Sequence, residues 1–195
     1  MKKQALAAAI TAGLVLGSTA PTLAQAPKIS GDVIKIGFIT DGSSVYADID
    51  GPAGAEAIRM AVADAGGQIN GKKIEVLYAD HQNKPDIASA RAREWIDQQG
   101  LDLLIGGTNS STALAMAKVA TEKKIPYVVI GAGSSRLTNE DCSPYIVHYA
   151  YDTVALARGT GSAVVAQGGK SWLRLDGVAA AGRAGYVDGG AARHI

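Results

Sequence analysis

The chain has 195 residues, 47% of them hydrophobic and 19% charged, with 19 Lys plus Arg against 18 Asp plus Glu and a formal net charge of +1. Such a balance excludes the basic surplus of a nucleic-acid binder. A single cysteine, Cys142, excludes an internal disulfide; it is read either as an inert or buried thiol or as one that lost a partner in sequence beyond this chain.

The N-terminus starts with Lys2 and Lys3, continues through an uncharged apolar stretch from Ala5 to Ala20, and reaches small residues at Thr22, Ala24 and Ala26. That order predicts a secretory signal peptide over residues 1–24. Cleavage is expected after Ala24, because a cut after Ala26 would place Pro27 beside the scissile bond. The stretch is shorter than the roughly 20 residues a membrane span needs, and no cysteine near the cleavage region points to a lipoprotein. Losing Lys2 and Lys3 leaves 17 basic residues against 18 acidic ones, a net charge of about −1. The remaining ~170 residues suffice to bury close to ~70% of their extended-chain surface.

Val33 to Ile39 reads as a buried strand, followed by a long loop from Thr40 to Gly51. Gly54, Ala57, Ile58, Ala61, Val62 and Ala65 recur at helical spacing, Gly66-Gly67 ends that helix, and Asn70-Gly71 marks a turn. Lys73 to Ala79 is the second strand. Pro85 opens a second helix, with Ala88, Ala92, Trp95 and Ile96 on one side and Gly100 as its stop. Leu101 to Ile105 is a third strand and Ser111 to Lys123 a third helix, with Ala113, Met116, Ala117 and Ala120 inward and Lys123 and Lys124 at its negative end. Ile125 to Ile130 and Pro144 to His148 are the fourth and fifth strands. Asp152 to Ala166 is a fourth helix, capped by Asp152 or Thr153.

Strand and helix thus alternate with short connections, which predicts an α/β fold: a doubly wound parallel sheet with helices on both faces. Ligands of such sheets bind beyond the carboxyl ends of the strands. Two of those ends run into Gly/Ser/Thr loops, Gly106-Gly107-Thr108-Asn109-Ser110-Ser111 and Gly131-Ala132-Gly133-Ser134-Ser135. The first sits between a strand end and a helix start, where Asn109 or Ser110 caps the helix and free N–H groups suit a carboxylate. The second offers backbone carbonyls and Ser134 to an ammonium. Its Gly-x-Gly start is no dinucleotide fingerprint, since Arg136 takes the third glycine's place and the loop follows the fourth strand. Gly169-Lys170-Ser171 lacks the first glycine of a phosphate loop, Val164 standing there. Tyr46, Tyr149 and Tyr151 are candidate aromatic walls, or plain surface. Asp41 and Asp80 end strands and are read as ordering their loops. His81, His148 and His194 are scattered, so no metal site, catalytic constellation or cofactor motif emerges.

Beyond Trp172 the text changes to LRLDGVAAAGRAGYVDGGAARHI, nearly half Ala or Gly and without a period of 2 or 3.6. It reads as the out-of-frame product of a GC-rich gene, or as a flexible terminus.

From Ile34 to Trp172 the ordered series IKIGFITDGSSVYADIDGPAGAEAIRMAVADAGG, LLIGGTNSSTALAMAKVATEKKIPYVVIGAGSSRLT and YDTVALARGTGSAVV resembles the first lobe of exported type I solute-binding proteins, in the branched-chain amino acid (leucine/isoleucine/valine) subgroup of ABC importers. The resemblance implies two α/β lobes closing on a small solute, delivery to a membrane permease, a periplasmic location, no enzyme activity and no cofactor. It implies Ser110 and Ser111 on the ligand carboxylate, Ala132 and Ser134 near its ammonium, and Tyr46 and Tyr151 flanking its side chain. The organisation expected is a signal peptide over 1–24, a ligand-binding lobe over 25–150, the start of a truncated second lobe over 151–172 and a non-native or disordered tail over 173–195. Other readings share the scaffold: a receptor sensing amides or urea, an enzyme whose catalytic groups are not evident, or a truncated remnant without function.

Overall fold

The computed structural model describes residues 29–169, 171–174 and 185–188. The expected signal peptide and most of the segment after Arg174 lie outside the described residues. The chain order is β1 (Ile34–Thr40), α1 (Gly51–Asp64), β2 (Gln68–Ile69), β3 (Lys72–Asp80), α2 (Pro85–Gln99), β4 (Leu103–Gly106), α3 (Ser110–Lys123), β5 (Tyr127–Val129), β6 (Ile146–His148), α4 (Thr153–Ala166), β7 (Ser171–Arg174) and β8 (Gly185–Asp188). One sheet runs β2-β3-β1-β4-β5-β6, and β7 and β8 pair separately. Every pairing in the large sheet is parallel except β2 with β3. That hairpin turns on Asn70 (φ 51°) and Gly71 (φ 78°), both left-handed as a two-residue hairpin loop requires.

The winding follows from where each crossover must travel. From β1 the chain moves one way to β3 and then back past β1 to β4, so α1 and α2 cover opposite faces. Alternation along β1 serves both faces: Phe38 meets the α1 side, where Gly54 lies against its ring, and Ile39 joins the core beneath α2 and α3. That core collects Ala88, Ala92, Trp95, Leu101, Leu104, Met116, Val119, Tyr127 and Leu137. The inward residues expected of α2 and α3 are buried, apart from the half-buried Ile96. On α1 the packed stripe is Gly51, Gly54, Ala55, Ile58 and Val62, while Ala57, Ala61 and Ala65 face solvent. Two bonds from Arg93 to Glu122, at 2.9 and 2.7 Å, tie α2 to α3 along their outer edge.

The helix ends obey ordinary chemistry. Gly100 ends α2 in the left-handed conformation (φ 67°). The Asn109 side chain accepts from Ser111 N at the start of α3, and Asp152 accepts from Ala155 N at the start of α4. Beyond the sheet, α4 keeps Leu156 and Val165 exposed. Cys142 is exposed, which removes the buried reading of that thiol. No helix among the described residues is long and apolar enough to cross a membrane.

Gly37 sits where β1 passes under α2. A Cβ there would lie 2.7 Å from Leu101 Cδ1 and 2.8 Å from the Trp95 ring. Gly37→Ala is therefore expected to cost about 1–3 kcal/mol by overpacking, read as a lower urea midpoint. A loss below about 0.5 kcal/mol, the range of neutral surface changes, would show that this core yields.

Candidate functional site

The direction of winding reverses between β1 and β4, and the space beyond their carboxyl ends is the usual ligand crevice of such sheets. Three loops meet at this end. The β1 loop is shaped by Asp41, fully buried, whose carboxylate accepts from Ser44 N and Tyr46 N at 2.9 Å each. It is pinned to the next strand by Asp80, which accepts from Gly42 N at 2.8 Å, Ser43 Oγ at 2.6 Å and Gln82 N at 2.7 Å. Desolvation pushes the Asp80 carboxyl up, but the bonds from Ser43, Gln82 and Gly42 outweigh it and hold the group below its ordinary value. Both acids order their loops, as expected from their places at strand ends.

Asp50, at the start of α1, accepts from Thr40 Oγ1 at 2.7 Å and from Thr108 Oγ1. It joins the end of β1 to the loop after β4, across the crevice. From β3 a second chain of bonds runs the same way. His81 Nδ1 accepts from Asn83 N at 3.0 Å, Asn83 Oδ1 accepts from Asn109 Nδ2 at 2.5 Å, and Asn109 Oδ1 accepts from Ser111 N and Ser111 Oγ at 2.7 Å.

Of the expected ligand residues, Ser110 and Ser111 open α3, with Ser110 8% exposed and Ser111 half-buried. Both Ser111 donors, its N–H and its hydroxyl, are spent on Asn109 Oδ1. The β5 loop lies alongside: a Cβ on Gly131 would sit 3.1 Å from Thr108 Cα. The two Gly/Ser loops are therefore neighbours. Ala132 is fully buried, backbone included, and its carbonyl accepts from His148 Nε2 at 2.6 Å, so the backbone expected beside a ligand ammonium is covered. Ser134 is half-buried. Tyr151 is 59% exposed, and its ring covers Gly133, where a Cβ would come within 3.0 Å of it. Tyr46 is half-buried in the β1 loop, and Tyr149 is largely exposed.

Spacing along the chain gave no hint of one cluster. Asp41, Asp80 and His81 each offer a ligand atom within 4.8 Å of one another. Parallel register explains it: Thr40 stands opposite Asp80, so the next residues, Asp41 and His81, fall side by side. Both carboxylates are already engaged by N–H and hydroxyl donors, so the cluster serves the loops. Two buried polar atoms here, His81 Nε2 and Tyr127 Oη, have no hydrogen-bond partner among the described residues. Tyr127 Oη lies directly under Gly107, and burial pushes its phenol far up. Burial likewise pushes the His81 imidazole below its ordinary 6.5, against the opposing pull of Asp41, Asp80 and Asp50.

His81 thus stays neutral in the fold while the unfolded chain protonates it. Its contribution to stability is present above the ordinary histidine value of 6.5 and is lost as pH falls toward the lower folded value. Urea midpoints are expected to drop from pH 7.5 toward about pH 5, and His81→Asn should flatten that slope. An equal slope in the variant would assign the acid sensitivity elsewhere. Asn109→Ala, which removes the cap and the Asn83 link, is expected to cost about 0.5–2 kcal/mol in the same assay.

The profile of the family described as "Periplasmic binding protein" matches residues 33–192. Leu/Ile/Val-binding protein homolog 6 of Brucella abortus (strain 2308) is 30% identical over 154 residues, 78% of this chain and 36% of that protein. Among solved structures, a periplasmic binding protein from Burkholderia mallei is 71% identical with a TM-score of 0.70, covering 71% of this chain and 37% of that one. A solute-binding protein of an ABC transporter from Rhodopseudomonas palustris BisB5, in complex with 3,4-dihydroxybenzoic acid, is 30% identical with a TM-score of 0.63 and the same coverage, 71% and 37%. The chain spans little more than a third of the length of these relatives. With the profile matched over most of its residues, the chain belongs to the periplasmic binding protein family, as a lobe of the type I, branched-chain amino acid kind.

Proposed function

We propose that this chain supplies one wall of the ligand cleft of an exported substrate-binding protein, which captures an amino acid or a related small polar solute for an ABC importer. The observation that carries the reading is the adjacency of the two small-residue loops, 106–111 and 131–135, at the crevice between β1, β4 and β5. Capture there is non-covalent. On this reading the ligand carboxylate lies at the N-terminus of α3 beside Ser110 and Ser111, where the first N–H groups of a helix and its dipole favour negative charge, with both Ser111 donors giving way from Asn109 Oδ1 to reach it. On the β5 side the half-buried Ser134 offers its hydroxyl, Ala132 contributes only if its covered backbone opens, and Tyr46 and Tyr151 flank the body of the solute. Export follows from the signal-peptide pattern over residues 1–24, and a membrane permease is the partner that such a carrier implies.

A cleft with one wall holds its ligand weakly. If the facing wall supplies two or three charge-assisted bonds, the 195-residue chain lacks roughly 3–9 kcal/mol of binding free energy. That is a factor of about a hundred to several million in affinity. Titration of the chain with L-leucine and related acids, followed by amide NMR shifts, is expected to give dissociation constants in the millimolar range. The perturbed amides should fall within 106–111 and 131–135. A micromolar constant would show that one wall suffices; shifts confined to other segments would remove these loops from the site.

A further inference from the structure

The two faces of the large sheet are covered unequally. Toward α2 and α3, Leu104 of β4 and Tyr127 and Val129 of β5 are fully buried. On the other face α1 lies over β1 and β3: Gly54 meets the Phe38 ring, and Val62 shares a shallow groove with Ile74 and Val76. Among the described residues no helix makes its main contacts with β4, β5 or β6 from this side. Alternation along the strands decides what is left open there. Leu103 and Ile105 of β4, Val128 of β5 and Ile130 just beyond it are half-buried. Val147 of β6 is 56% exposed, and Tyr149, whose N–H still donates to Val129 O, is 78% exposed. A parallel sheet carries apolar residues on both faces because both are normally covered. Here the residues are apolar on the uncovered side as well.

We propose that this face is a self-association surface, on which two copies of the chain pack β4-β5-β6 against β4-β5-β6, sheet on sheet at ~10 Å. Charge favours a second copy as the occupant. The open side chains are all uncharged, whereas the outer faces of α2 and α3 carry the ion pairs of Arg93 with Glu122 and Lys123 with Asp97. A neutral apolar face meets itself across a two-fold axis with no like charges opposed. Size sets the strength. The stretches 103–106, 127–130 and 146–149 make a patch ~14 Å by ~13 Å, and Tyr149 adds most of a ring that buries ~150–250 Å². Roughly a few hundred Å² on each partner falls short of the ~800 Å² a side of a standard stable interface. The pairing is therefore weak and reversible, with Val147 and Tyr149 supplying most of the area taken from water. The surface runs along the strands, apart from the crevice beyond their carboxyl ends, so the pairing does not depend on the cleft assignment.

The test is sedimentation velocity on the full 195-residue chain across about a hundredfold range of concentration. A monomer in exchange with a dimer is expected, with a dissociation constant on the order of tens to hundreds of micromolar. Val147→Lys and, separately, Tyr149→Lys should each weaken the dimer at least about tenfold. Met60→Lys, at a 60% exposed position on the outer side of α1, should leave the constant unchanged. A monomer at every concentration would overturn the proposal. So would a dimer that neither β6 substitution weakens, which would assign association to another surface such as the apolar stretch from Ala5 to Ala20. Equal weakening by Met60→Lys would also overturn it, because any added charge would then suffice. Circular dichroism checks that each variant folds. If the β6 variants do not fold, the unaltered chain decides alone: amide NMR shifts on dilution are expected along 103–105, 128–130 and 147–149, and shifts confined to other segments would remove this face from the contact.

Discussion

One carboxylate holds the crevice together. Asp50 begins α1 and accepts from Thr40 at the tip of β1 and from Thr108 beyond the tip of β4. The winding reverses between those strands, so backbone pairing ends there and the two loops would otherwise part. Paired hydroxyl donors satisfy a partly buried carboxylate at modest cost, because each oxygen has an acceptor bond in place of water. The bond network from His81 through Asn83 to Asn109 repeats the stitch one strand further out and fixes the cap of α3. The site geometry is therefore set by polar bonds between loops laid over a hydrophobic sheet.

The positions of these elements were legible from local pattern because each is punctuated. Pro85 and Gly100 bracket α2, Asn109 starts α3, and Asp152 starts α4, each where its chemistry demands. Three features escaped. The strand β2 has two residues, too few to show alternation, although the Asn70-Gly71 turn that creates it was plain. The clustering of Asp41, Asp80 and His81 arises from the register of β1 against β3, and register between distant strands is invisible to any window along one chain. The same limit explains why His148 escaped notice as a partner of Ala132: the two are joined only by the pairing of β5 with β6. Strand edges were legible only to within a few residues, since Leu101 and Ile130 continue the apolar runs of β4 and β5 without joining the ladder.

Composition also foretold the asymmetry between the faces of the helices. The buried sides of α2 and α3 are built on Ala, with Trp95 and Met116 filling the larger gaps. Small residues bring helix axes close to the sheet, and that proximity is what lets one aromatic ring crowd Gly37. The segment α4 shows the converse. Its Leu156 and Val165 stay exposed, and Gly161 is its one buried position among the described residues.

The floor of the crevice has a consequence for how such a lobe changes during evolution. At Gly106 (φ 144°) any side chain would run into the Ile39 carbonyl, and at Gly107 (φ 87°) into Tyr127 and Ala113. Both positions are closed to variation by backbone conformation and by space. The main chain at these two positions is therefore fixed in shape by its neighbours. Sequence change at this end of the sheet falls instead to outlying side chains such as the half-buried Tyr46 and the exposed Tyr149.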